Sequence, residues 1–154
     1  MNLQPYSPKV LALCGITLIG MGLYFVLLRP TLLPEDTRYI GASLPEIRAS
    51  FPGLLDWLDK VFWVMGGYIL TTGLLTLYVA VTSFRTRVRG VLGVVALAGL
   101  TSIGLMTTVN FVIDSDFKLL LLAFAALWGL ALVLYWLEER NEHRGRPRGK
   151  DADD

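Results

Sequence analysis

Four long stretches of this chain carry no charged residue, and each is bounded by charges at both ends. They cover residues 10–28, 61–84, 90–113 and 119–137, flanked in turn by Lys9 and Arg29, Lys60 and Arg85, Arg89 and Asp114, and Lys118 and Glu138. Their lengths are 19, 24, 24 and 19 residues, and a helix rising about 1.5 Å per residue needs roughly 20 to cross about 30 Å of hydrocarbon. The apolar positions run on continuously instead of alternating, which predicts helices and not barrel strands. The first stretch holds eleven Leu, Ile, Val or Phe, which together favour insertion by roughly 3 to 7 kcal/mol. It is longer than the core of a signal peptide, and VLLRPTLLPE after it has no small-x-small cleavage site, so it reads as a retained helix.

Between these stretches the connections are unequal. The turns at 85–89 and 114–118 are short enough to make helical hairpins, and the one long connection covers residues 29–60. The fold class predicted is all-α: a polytopic membrane protein, an antiparallel four-transmembrane-helix bundle with a partly helical outer loop. Apolar residues recur through that loop, and Pro34, Pro45 and Pro52 suit first helical positions, with acids following in PED and PEI. Short helices near 34–41 and 45–50 are expected, then one starting at Pro52 and running into the second span. The bundle is taken as residues 1–137. The polar tail EERNEHRGRPRGKDADD at 138–154 cannot bury apolar surface and is expected to be disordered beyond a frayed helix end.

Composition agrees with this reading: 54% of residues are hydrophobic and 18% charged in a chain of 154, against about 45–50% and 25% in soluble domains. The excess disfavours a soluble enzyme or a nucleic-acid partner. The net charge of +1 hides an asymmetry, because nine of the 14 bases lie on the side of the two termini and five on the other. By the positive-inside rule both termini and the SFRTRVRG turn are cytoplasmic, with a bacterial cytoplasmic (inner) membrane as the expected location. Trp57, Phe62 and Trp63 would mark the outer end of the second span, Tyr78 and Phe84 its inner end, and Tyr135 and Trp136 the inner end of the fourth.

Reactive groups are scarce. The chain has one cysteine, Cys14 in the first span, and one histidine, His143 in the tail, so neither an internal disulfide nor a Cys/His metal site follows, and no cofactor is expected. None of the four stretches contains Asp, Glu, Lys, Arg or His, which argues against a proton or ion pathway. The polar candidates are Thr107, Asn110 and Asp114 at i, i+3 and i+7 on the third helix, with Tyr68 and Thr72 on the second. They read as interhelix hydrogen bonding or, for Asn110 about one turn from the outer end, interfacial solvation, and alternatively as a ligand site. Small residues at helical spacing, Gly15 and Gly22, Gly66 and Gly73, Ala98 and Ser102, Ala125 and Gly129, allow close helix approach. They fit contacts within the bundle and a homodimer seam equally well.

The order of features also resembles the DoxX-like group of small bacterial four-helix membrane proteins. The likeness rests on a glycine-bearing first helix (GITLIGMGLYFVLL), a partly helical outer loop, a second helix with Gly-Gly and a later Gly-Leu (VMGGYILTTGLLTLY), a short basic turn and a helical hairpin, over roughly residues 10–137. That resemblance implies a bacterial inner-membrane protein and carries over no catalytic residue. The leading expectation is a noncatalytic accessory or scaffold protein in the lipid bilayer, partnered by a second copy or another membrane protein. The alternative is a binder or carrier of a small apolar molecule, a lipid or quinone, beneath the outer loop near Asn110 and Tyr68. A membrane-embedded enzyme has only the loop carboxylates with Arg38 and Arg48 to draw on, and those read as a solvated face.

Overall fold

The computed structural model describes residues 5–145, and these form helices joined by turns, with no strand among them. In chain order the helices are α1 (Ser7–Leu27), α2 (Pro34–Ile40), α3 (Leu44–Ser50), α4 (Leu54–Phe84), α5 (Val91–Val112) and α6 (Lys118–Gly145). Four of them, α1, α4, α5 and α6, are long and apolar enough to cross a membrane. They face outward with apolar side chains: Ile16, Leu75, Val94, Leu100, Leu119 and Val133 are all more than half exposed. A surface of that kind is far larger than the apolar patches that water-soluble monomers tolerate.

The loop helices follow local rules. Pro34 opens α2, whose first turn is closed by Asp36 Oδ2 accepting from the Leu33 N–H at 2.8 Å, and Gly41 ends it at φ +75°. In α3, Ser43 and Glu46 form a reciprocal capping box: Glu46 Oε2 accepts from the Ser43 N–H at 2.8 Å, while Ser43 Oγ accepts from the Glu46 N–H at 3.4 Å. Pro45 is the second residue of α3, and α4 begins at Leu54, two residues beyond Pro52. Two long helices are underwound into π turns, α4 at Ala80–Phe84 and α5 at Leu100–Gly104.

Packing is dense around one end, where the first turn of α1, the turn at 85–89 and the last turns of α6 meet. Leu11, Ala80, Phe84, Ala131 and Tyr135 are almost wholly buried there, and the Phe84 and Tyr135 rings lie 4.5 Å apart. These two aromatics therefore belong to the core, and the expectation that they anchor an interface is corrected. A polar clasp closes this basic end. Glu138 Oε1 accepts from the backbone N–H groups of Tyr6 (2.7 Å) and Ser7 (3.1 Å), and Oε2 from Ser7 Oγ (2.6 Å) and the Arg87 guanidinium (3.3 Å). The acid thus satisfies first-turn donors of α1 and lies at its positive dipole end. Arg87 also pairs with Glu142 at 3.2 Å, which offsets its left-handed backbone at φ 55°. The last helix continues past Glu138 to Gly145, and residues 146–154 of the expected tail lie outside the described residues.

The glycines set the closest helix pairing. A Cβ on Gly15 would lie 2.8 Å from the Leu77 nitrogen and 3.0 Å from the Gly73 oxygen, and one on Gly22 would lie 2.5 Å from the Leu70 nitrogen and 2.8 Å from the Gly66 oxygen. Gly15, Gly22, Gly66 and Gly73 thus bring the backbones of α1 and α4 together inside one chain. The other pairs behave differently. Ala98 and Ala125 pack beside the core, Ser102 lines a cavity, and Gly129 has open space where a Cβ would be. The contact on that side is made by Gly99, where a Cβ would overlap the Trp128 indole. That indole is buried and donates from Nε1 to the Val95 carbonyl at 3.0 Å.

Candidate functional site

Toward the other end the helices part. α5 touches α4 through the Ala80–Phe84 turn, and beyond it the two walls diverge around a cavity of about 1070 Å³. A second void, against Cys14 and Trp128, measures about 10 Å³, no more than one water requires. The large cavity has α1 as its floor, through Leu18, Met21 and Phe25. Val64, Met65, Tyr68 and Thr72 of α4 form one wall and Ser102, Leu105, Met106, Val109 and Asn110 of α5 the other, with Leu121 and Phe124 of α6 behind. Tyr68 is 73% exposed and Leu105 59%, so the mouth opens sideways between α4 and α5, toward whatever surrounds the helices.

Most of the wall is aliphatic or aromatic, and the hydroxyls of Thr72, Thr101 and Ser102 are turned to their own helices. Thr72 Oγ1 donates to the Tyr68 carbonyl at 2.8 Å and Thr101 Oγ1 to that of Leu97 at 2.9 Å. Ser102 Oγ bonds the Ala98 carbonyl, and Asn110 Nδ2 donates to that of Met106 at 2.9 Å. Each hydroxyl has a single proton to give. What Thr72, Thr101 and Ser102 present to the cavity is therefore lone-pair oxygen.

The roof is polar and comes from the loop. Arg29, at the end of α1, folds its guanidinium over the Phe62 ring, 3.5 Å from the centroid, and bonds the Pro30 (2.9 Å) and Thr31 (3.3 Å) carbonyls and Asp36 (3.3 Å). Its side chain is only 8% exposed, so aromatic stacking and three oxygen partners replace water around the charge. Phe62 is thus a support for Arg29, a role its position at the end of a span did not announce. Beside it Glu35 is 2% exposed and accepts from Ser115 Oγ at 3.1 Å; Ser115 is itself 1% exposed. This bond fastens the loop to the turn between α5 and α6. Arg38 adds a second strap outside the cavity, to the Asp114 carbonyl at 3.0 Å and to Asp116 at 3.1 Å.

Of the polar residues singled out by spacing, Asn110, Tyr68 and Thr72 line this cavity, and Thr107 and Asp114 do not. Thr107 is 6% exposed and sits against α6, its Oγ1 shared between the Ile103 (2.7 Å) and Leu121 (3.2 Å) carbonyls. Asp114 lies past the end of α5 at φ 53°, so helical periodicity does not reach it. Its carboxylate faces solvent and pairs with Lys118, whose charge and hydrogen bond hold the acid below the usual carboxylate range. The shared face expected for these three residues is therefore not formed. The residues missed were Arg29, Glu35 and Ser115. Glu35 read as one of several solvated loop acids. The available signal was the pair Glu35-Asp36 after Pro34, where one acid suffices to cap a helix and the second is left to point elsewhere.

No family model, curated protein or solved structure matches the chain, so the chemistry of this site is argued from its geometry.

Proposed function

We propose that the protein is an antiparallel four-helix membrane protein that binds a small apolar molecule, a lipid or quinone, in the cavity beneath its outer loop. The observation that carries this reading is the cavity itself. About 1070 Å³ lies just above the roughly 300–1,000 Å³ range of small-molecule sites, and its wall is apolar with a few convergent polar groups. Its side opening suits a ligand that arrives from the hydrocarbon phase. The matching of Gly15 with Gly73 and of Gly22 with Gly66 supports the antiparallel arrangement of α1 and α4.

A noncatalytic scaffold, the leading expectation from sequence, drew on the small-residue faces and the missing reactive groups. The faces on α1 and α4 are occupied by each other, which shifts weight to the binder. In this reading the basic end with both termini is cytoplasmic and the loop lies outside, in a bacterial inner membrane, as the bias of Arg and Lys toward the termini argues.

Two measurements test this. Protein exchanged into mild detergent should retain a lipid or quinone near one per chain by native mass spectrometry. Thr72→Phe with Val109→Phe, which fills the cavity, should release it. Retention of nothing by the wild type, or equal retention by the filled variant, would overturn the reading. A reporter fused after Asp154 should behave as cytoplasmic, and an external signal would invert the orientation.

A further inference from the structure

We infer that the ligand carries an uncharged head with a free hydroxyl group, and that this hydroxyl donates to Glu35 while the tail runs out between α4 and α5. The inference rests on the binding function proposed above and adds the chemistry of the head.

The polar wall takes acceptors from three of its hydroxyls, while donors remain at the Tyr68 hydroxyl and the second Asn110 N–H. Thr72, Thr101 and Ser102 each direct their proton to a backbone carbonyl of their own helix, and so offer the cavity acceptors. Arg29 directs its terminal nitrogens to Pro30, Thr31 and Asp36, with its face against Phe62. Glu35 is 98% withdrawn from solvent, borders the cavity and, among the described residues, receives one hydrogen bond, from Ser115 to Oε1. Its other oxygen has no protein donor among the described residues and is not fully enclosed, in a residue that borders the cavity. A carboxylate oxygen in a residue so little exposed is poorly hydrated, and a ligand donor stabilises it.

The same geometry argues against charged heads. A phosphate or fatty carboxylate would face Glu35 with the nearby guanidinium already engaged by Asp36. An ammonium head has three protons to satisfy and a large desolvation cost, with one carboxylate oxygen free to meet it. A hydroxyl needs one acceptor, and one is available.

The test compares heads on one tail by native mass spectrometry of the full-length protein: oleyl alcohol, oleyl methyl ether, oleate and oleylamine. Oleyl alcohol should bind about tenfold or more tightly than the ether, which lacks only the donor, as a hydrogen bond to a charged group implies. It should also exceed oleate and oleylamine. In Glu35→Gln, whose amide keeps the Ser115 contact and supplies a donor of its own, the alcohol-to-ether ratio should fall toward one. The wild-type comparison stands by itself if that variant does not fold. An ether that equals the alcohol, or oleate or oleylamine binding most tightly, would overturn the inference. Equal binding of all four would leave the apolar cavity as proposed and remove the hydroxyl assignment, whereas binding of none would remove both.

Discussion

Gly22→Ala and Gly20→Ala make the same chemical change two residues apart on α1, and they should have different consequences. At Gly22 the new Cβ would lie 2.5 Å from the Leu70 nitrogen, 2.7 Å from its Cα and 2.8 Å from the Gly66 oxygen, whereas at Gly20 nothing lies within 4 Å. Carbon contacts settle near about 3.5–4.0 Å, so α1 and α4 must separate by about 1 Å at that level, and no side chain can move instead because the obstacles are backbone. Overpacking of this kind costs about 1–3 kcal/mol, and the wider gap also forfeits a quarter to a half of the dispersion energy of neighbouring contacts. Both variants gain the same helix propensity, so their difference isolates the clash. At roughly 2–4 °C per kcal/mol for a chain of this size, Gly22→Ala should melt roughly 2–12 °C below Gly20→Ala. The chain carries one cysteine, and Cys14 is 4% exposed, so a thiol-reactive fluorophore reports unfolding from within the core. Equal melting of the two variants would refute the close α1–α4 approach.

Three further perturbations probe other parts of the structure. Glu138→Ala removes the acceptor shared by Tyr6, Ser7 and Arg87; with both charged side chains about one-fifth exposed or less, the loss should be about 2–4 kcal/mol. A double-mutant cycle with Arg87→Ala should then show coupling, and strict additivity would contradict the clasp. Trp128→Phe removes the donor to Val95 together with the five-membered part of a buried indole, and should lower stability by at least about 1–2 kcal/mol in the same thiol assay; no change would contradict the packing of Trp128 against Val95 and Gly99. The Ser43 hydroxyl and backbone N–H lower the Glu46 carboxyl below its ordinary range, as Lys118 does that of Asp114. Groups lowered on folding stabilise above their unfolded values, and that contribution disappears as pH falls through the folded ones. Hydrogen exchange, corrected for intrinsic rate, should therefore speed up in α3 and at 114–118 on going from pH 7 toward pH 3, with core amides such as that of Leu11 unaffected; a uniform response would rule out local titration.

The four long helices were legible in the sequence because their signal is local. A charge cannot sit in the middle of an apolar helix at small cost, so Lys9, Arg29, Lys60 and Arg85 bound the uncharged stretches, and the observed helix ends differ from these by a few residues, except where α4 starts earlier, at Leu54, and α6 runs on to Gly145. The loop helices were legible for a similar reason, since Pro34 and Pro45 and the acids that follow them act within one turn. Spacing alone did not show that the faces of Gly15, Gly22, Gly66 and Gly73 pair within one chain, nor that Gly99 and not Gly129 receives a ring. A glycine looks alike in sequence whether it meets a backbone or open space.

The candidate site depended almost wholly on tertiary structure. Asn110, Tyr68 and Thr72 could be named as polar residues in apolar runs, but Thr107 separates from them because the side of α5 that it occupies meets α6, and Asp114 because the helix ends before it. Glu35 meets Ser115 across 80 residues of chain, and Arg29 is withdrawn from solvent by a ring on another helix. Helix count, length and approximate boundaries follow from which residues tolerate an apolar surrounding, and sequence alone determined those. Where the helices touch, where they part to leave a cavity, and which acid of a similar set is turned into it follow from contacts between distant segments, and only the folded arrangement decided them.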